Sequence, residues 1–396
     1  MKTVSGLGAA GLIGLVLLVP GLLPEPARGV VPWLACLTLA VGVAAVRDPV
    51  LRVLLAGLAV AVVAGWRHAP VPTDAVPHLG GVAAGVLALV TLEIWARDRV
   101  RLALALVIVV ALGAAAVLVG LRSTTAPGDK GVPMVLSQID NPPSLPLATA
   151  FGQPYVNPNA LGMAALMVLC LAGAAAAAPR PPARWHRALR LCGVGAVAVA
   201  LGAMVVTQSR GVALACVGAG LLVLWFRRPQ WRRMAAGASL LVILGVGVVL
   251  QRDADVRTAT RASAQERWAQ WQRAGELVVD APWRGIGLDA YRRIAPVQVH
   301  AHNMALQTAL DLGLAGLCVY VGVMGWLLHR VVRCVRAPGD PFRQMVASGA
   351  GLALVAVHVY GVFDAVALGT RIGTLQWVAG GLVLAAAQET SEASWP

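Results

Sequence analysis

Four runs of this chain, residues 100–121, 189–207, 234–250 and 303–328, carry almost no charge over lengths at or near the ~20 residues that a helix needs to cross the hydrocarbon of a bilayer. Runs of that kind go into lipid or into the core of a large soluble protein. Across 396 residues the chain is 58% hydrophobic and 13% charged, with mean hydropathy +0.75, too apolar for a soluble protein of this size. The pattern predicts an all-α polytopic membrane protein of about 12 transmembrane helices. The spans fall near 7–23, 29–46, 50–66, 76–95, 100–121, 158–178, 189–207, 210–226, 234–250, 303–328, 345–363 and 370–387. The first run has Lys2 as a basic end like that of a signal peptide. It lacks a convincing small-residue cleavage site and another span follows at once, so it reads as a retained first helix.

Short loops alternate in charge. One side collects Lys2, Arg47, Arg52, Arg97, Arg99 and Arg101, then the clusters Arg180–Arg190, Arg227–Arg233 and Arg330–Arg343, together with the acidic tail. That side holds nearly the whole of the net charge of +14. By the positive-inside rule it is cytoplasmic, with the N- and C-termini on it. Topology therefore accounts for the basic balance, and a nucleic-acid partner is not implied. Cys36, Cys170, Cys192, Cys216 and Cys318 fall inside predicted spans and Cys334 in a basic loop, without disulfide or zinc spacing.

On the other side two long segments interrupt a single integral membrane domain spanning 1–396. Residues 122–157 form an outer loop rich in Pro, Ser and Asn; residues 251–302 form a large outer loop with short helices that carries most of the outer charge. Loops this long usually carry function. In the second, residues 263–279 place Ala264, Trp268, Trp271, Gly275 and Val278 on one helical face. Such a helix either lies in the interface, anchored by its tryptophans, or roofs a cavity and delivers Arg267 into it, and the two are compatible.

Arg210 stands in TQSRGVALA between two apolar spans with almost no loop. A charge so placed snorkels, caps carbonyls at a tight turn, or faces a wet cavity. In the cavity it would be an anion site, since a guanidinium forks onto phosphate oxygens, Gly211 allows close backbone approach, and the next helix adds its positive N-terminal end. His302, in HAHN, is an interfacial histidine or a general base, for which imidazole is the side chain with a suitable ordinary pKa. No Gly-x-Ser-x-Gly elbow, Walker loop, HExxH or carboxylate pair occurs, so hydrolase and nucleotide-driven chemistry lack their usual motifs.

The string HNMALQTALDLGLAG, His302 to Gly316, resembles the signature of the O-antigen ligase and O-antigen polymerase superfamily: a His-Asn pair, nine residues, then Gly-x-x-Gly, here Gly313 and Gly316. YVNPNALG (Tyr155 to Gly162) is similar to the family's Asn-Pro-Asn helix entrance. TQSRGVALA is similar to its Ser-Arg-Gly element, and ERWAQWQRAGELVVDAPWRGIGLDAYR to its large outer loop. The likeness covers roughly residues 150–320. It departs at Asp311, where members often carry Glu.

The resemblance implies a GT-C-like membrane glycosyltransferase of the bacterial inner membrane with its site facing the periplasm. It would move a glycan from undecaprenyl diphosphate to an acceptor hydroxyl on lipid A-core or another envelope glycan. His302 would be the base, and Arg210 and Arg267 would hold the diphosphate in an inverting, metal-independent transfer. Asn157, Asn159, Ser209, Arg284, Arg292 and Asn303 would line the substrate site. No cofactor and no metal ligand set is expected, and membrane lipids are the remaining partners. Ligase, polymerase and protein O-oligosaccharyltransferase share these motifs; the His-Asn spacing favours ligase. A transporter is the rival from another class, given Glu93, His358, Asp364 and Arg371 in or near spans, but the chain shows no paired halves.

Overall fold

A computed structural model describes Ile13 and residues 29–122, 157–179, 181–207, 209–227, 254–295, 300–364 and 368–388. The described residues form helices and no strand. In chain order these are α1 (Val31–Ala45), α2 (Pro49–His68), α3 (Pro72–Trp95), α4 (Arg99–Arg122), α5 (Pro158–Ala177) and α6 (His186–Thr207). There follow α7 (Arg210–Arg227), α8 (Ala254–Asp280), the single turn α9 (Tyr291–Ile294), α10 (Met304–Arg336), α11 (Pro341–Gly361) and α12 (Arg371–Ala386).

Among the described residues, seven helices are long and apolar enough to cross a membrane: α2 to α6, α10 and α11. Three shorter apolar stretches, in α1, α7 and α12, fall on further expected spans. The expected span 7–23 apart from Ile13, the span 234–250 and most of the loop 122–157 lie outside the described residues, as do the chain ends.

Helix starts were legible in dipeptides. Asp48, Asn157 and Asp340 each precede a proline, and each side chain accepts a hydrogen bond from a backbone N–H of the first turn while Pro fills the position that needs no donor. One boundary moved. Helix α10 continues to Arg336, so Cys334 is a buried helical residue and the loop expected around it begins later.

Helices α3, α5 and α11 are the most enclosed, each with 61% of its spanning stretch buried, against 28% for α6. Helix α5 is nearly all Ala, Gly, Leu and Met, and packs between α6, α11 and α4. Small side chains allow that approach, which in lipid is a main source of helix association. Helix α10 packs on α2 and α11, and α8 lies against α10. The apolar body thereby brings the ends of α7, α10 and α11 together near helix α8.

Candidate active site

Helix α10 begins at the His-Asn pair. Asn303 has extended backbone, and its Oδ1 accepts from the Leu306 N–H at 3.0 Å, a side-chain cap. Its Nδ2 then donates to the Val362 carbonyl at 3.1 Å, which ties the start of α10 to the end of α11. His302 sits at φ +48, a region that non-glycine residues rarely adopt. Three contacts hold this bend. The Trp271 indole donates to the His302 carbonyl at 3.2 Å, the His302 N–H to His300 Nδ1 at 3.3 Å, and the Ala301 N–H to Gln307 Oε1 at 3.0 Å.

The bend delivers the imidazole to a carboxylate. His302 Nδ1 is 3.0 Å from Asp364 Oδ1, and the Tyr360 hydroxyl donates to Asp364 Oδ2 at 2.8 Å. Burial works to raise the Asp364 carboxyl, but the His302 hydrogen bond, the two nearby imidazoles and the Tyr360 hydroxyl outweigh it and hold it below the usual range. An ionised carboxylate only accepts, so in the neutral ring of His302 the proton stands on Nδ1 and the lone pair on Nε2. His300 packs against His302 with ring centroids 4.2 Å apart. Burial pushes its pKa down to about 4, with His302 and Arg267 adding to the effect against Asp364, so His300 is neutral in ordinary buffers.

Arg267 reaches the same place, donating to the Phe363 carbonyl at 2.5 Å. Three consecutive residues just beyond the C-terminal end of α11, Val362, Phe363 and Asp364, thus receive Asn303, Arg267 and His302. Arg210 opens α7, and its side chain lies outside the described residues. Its neighbour Gly211 faces the Tyr360 ring, where an added Cβ would stand 3.2 Å from the ring edge. The Ser-Arg-Gly element therefore abuts the tyrosine that bonds Asp364. Buried Ser209 accepts from the Val212 N–H at 3.4 Å, at the start of α7.

On helix α8 the expected face is half-buried at Trp271, Gly275 and Val278 and exposed at its N-terminal end. Trp268 is 59% exposed and Ala264 is exposed, whereas Gln270 and Ala274 are buried and Trp271 is half-buried. The buried stripe is turned by contact with the His302 loop, which apolar spacing alone does not reveal.

Gly313 explains the Gly-x-x-Gly. Its φ of +73 breaks α10, and an added Cβ would lie 2.2 Å from the Trp283 carbonyl. Backbone groups at the break are taken up by the outer loop: the Ile286 N–H donates to the Leu310 carbonyl and the Leu314 N–H to the Pro282 carbonyl, both at 2.7 Å. The loop is also fixed to α2 by the Leu288 N–H donating to the Gly65 carbonyl at 3.0 Å. Asp311, the departure from Glu, is buried and accepts from Gln307 Nε2 at 3.0 Å and the Asp289 N–H at 3.2 Å, joining the docked loop to the residue that holds Ala301.

Arg292 is 2.8 Å from Asp289 and 3.5 Å from Asp74, so its partners are acidic groups that fasten the loop to α3. Arg284 is exposed on the loop. Asn157 caps α5, accepting from the Asn159 N–H at 2.9 Å, and Asn159 is half-buried. The structure gives neither asparagine a contact with the His302 cluster.

Residues 194–321 match the family model for O-antigen ligase. That O-antigen ligase segment covers about a third of the chain and supports the superfamily of O-antigen ligases and polymerases. No curated protein matches the chain. The segment takes in Arg210, Arg267, His302, Asn303 and Gly313, while Asp364 and Tyr360 lie beyond it.

Sequence reasoning missed Asp364, Tyr360 and the role of His300. The available signal was Tyr360 and Asp364 four residues apart at the end of an apolar helix, where a carboxylate needs a partner. It also missed that His300, His302 and Asp364 together could hold a metal ion, against the expectation of no metal ligand set. Asp364 is 62 residues from His302 in sequence, so only the fold joins them.

Proposed function

We propose that the chain is an O-antigen ligase-type glycosyltransferase of the bacterial inner membrane, acting at the periplasmic face with both termini in the cytoplasm. It moves a glycan from undecaprenyl diphosphate to a hydroxyl of lipid A-core or another envelope glycan. The observation that carries this reading is the contact between His302 Nδ1 and Asp364, which leaves Nε2 able to accept a proton. The acceptor hydroxyl loses its proton to Nε2 as its oxygen attacks the anomeric carbon. The bond from that carbon to the diphosphate oxygen breaks in the same displacement, and the configuration inverts. Undecaprenyl diphosphate leaves with the bonding pair, its charge held by Arg210 and Arg267, so the reaction needs no metal. Asp364 fixes the tautomer and stabilises the imidazolium that forms.

The test is His302→Ala, with glycan transfer and donor affinity both measured on purified protein. Loss of a general base typically lowers a rate about 10²- to 10⁴-fold. Transfer is expected to fall by that order with donor affinity kept, since the arginines remain. A near-normal rate removes the mechanism. Loss of donor binding as well would make His302 a phosphate ligand instead.

A further inference from the structure

His300, His302 and Asp364 offer two ring nitrogens and a carboxylate oxygen that lie within 4.8 Å of one another. Both imidazoles address the same oxygen: His302 Nδ1 is 3.0 Å and His300 Nε2 3.8 Å from Asp364 Oδ1. The first is a hydrogen bond; the second is too long for one. Zinc binds such donors at about 2.0–2.2 Å, which places the ligand atoms of a tetrahedral site roughly 3.4 Å apart. The two measured separations bracket that value, so small rotations of the rings bring the atoms to ligand distance. Two histidines and one carboxylate form a donor set that zinc accepts, with a fourth position for water. The His302 backbone N–H donates to His300 Nδ1, so the proton of that neutral ring stands on Nε2. For Nε2 to bind the metal, that proton moves to Nδ1 and the backbone hydrogen bond is given up. Arg267 nearby opposes a cation, and the carboxylate offsets it.

We propose that His300, His302 and Asp364 bind one zinc-type divalent ion, and that occupancy switches glycan transfer off. The switch rests on the base reading given above; the binding does not. A metal on Nδ1 of His302 takes the lone pair of that nitrogen, so the ring proton moves to Nε2. Each ring keeps one proton, His302's moving from Nδ1 to Nε2 and His300's from Nε2 to Nδ1, so no proton is released and no electron moves. The acceptor hydroxyl then faces an N–H in place of a lone pair. The same three groups thus give an active base when empty and an inactive one when filled.

The test uses the full chain in detergent, stripped with EDTA, desalted and titrated with cobalt(II) and then zinc. One equivalent of cobalt is expected to give the visible absorption of a low-coordinate nitrogen and oxygen site, which zinc removes. Transfer by the wild-type protein is expected to fall at least tenfold as zinc fills the site and to return in EDTA. His300→Ala is expected to lose the absorption, and the zinc concentration that halves its own metal-free rate should rise at least tenfold. An absent cobalt spectrum in wild type, thiolate charge-transfer bands from the cysteines, or equal zinc binding by His300→Ala overturns the site. Full transfer by the zinc-loaded protein overturns the switch. The base reading fails separately, if His302→Ala keeps its transfer in EDTA where no metal is present.

Discussion

Two polar clusters with similar parts differ in one respect. Within the membrane body, the Tyr320 hydroxyl donates to Gln376 Oε1 at 2.9 Å and lies 3.0 Å from His358 Nε2, while His358 Nδ1 is 2.6 Å from the Leu354 carbonyl. At the outer end, Tyr360 and His302 meet on Asp364. Each cluster joins a tyrosine, a histidine and a side-chain acceptor across helices. The inner one has a neutral amide as acceptor and both nitrogens of its histidine occupied, and Tyr320 and Gln376 are buried. The outer one has a carboxylate as acceptor and an imidazole 23% exposed. A buried network with an amide acceptor in lipid holds helices together; an open one with a fixed charge can exchange a proton with a ligand.

Breaking the outer cluster at its acceptor gives the largest expected effect after loss of His302 itself. Asp364→Asn keeps the shape, but an amide no longer fixes the proton on Nδ1 or stabilises the imidazolium. Transfer is expected to fall by about 10²- to 10⁴-fold, close to His302→Ala, with donor affinity unchanged. The double variant should be little worse than either single one, because the two residues act as a unit. Additive losses in that cycle, measured as transfer rates at equal folded protein, would separate Asp364 from the base.

Arg210→Lys sharpens the comparison from the substrate side. Lysine keeps the charge but presents a point donor where guanidinium forks onto two oxygens, so most transfer is expected to be lost and donor affinity to weaken. Transfer near wild type at equal expression would make Arg210 a snorkelling or capping residue.

These outer residues were legible to different degrees, for physical reasons. His302, Asn303 and Arg267 stand in strings that resemble the family's signature and its large loop, and the helix cap at Asn303 is local, so they could be singled out from the sequence. The spans were legible because lipid imposes a length and forbids charge, a constraint visible in any window of the chain. Asp364 was not, because its meaning depends on α11 ending beside the start of α10, a contact between distant segments. Gly313 was legible as part of a motif but not as a broken helix. The break is stable only because the Pro282–Ile286 loop supplies partners for the freed backbone groups. The burial of Gln270 and Ala274 on α8 was not legible for the same reason: a tertiary neighbour rather than an apolar period buries them.

The smallest effect on transfer is expected from the inner cluster, and it tests whether openness and charge, rather than residue type, separate the two. Tyr320→Phe removes the hydroxyl that donates to Gln376 and meets His358, with no change in ring packing. Hydrogen bonds between membrane helices average about 0.6 kcal/mol and reach about 1.7 kcal/mol at most, because polar groups released in the membrane find other partners. The variant should therefore lose stability within that range, unfold in detergent at a slightly lower temperature, and transfer glycan at the wild-type rate per folded molecule. Tyr360→Phe is the matched change in the outer cluster. It removes one donor from Asp364 while leaving His302 in place, so it should lower transfer more than stability. If Tyr320→Phe instead lowers the rate of folded protein as much as Tyr360→Phe does, the inner network is coupled to the site through α11, which carries both His358 and Tyr360. The division between a structural and a reactive cluster would then be wrong.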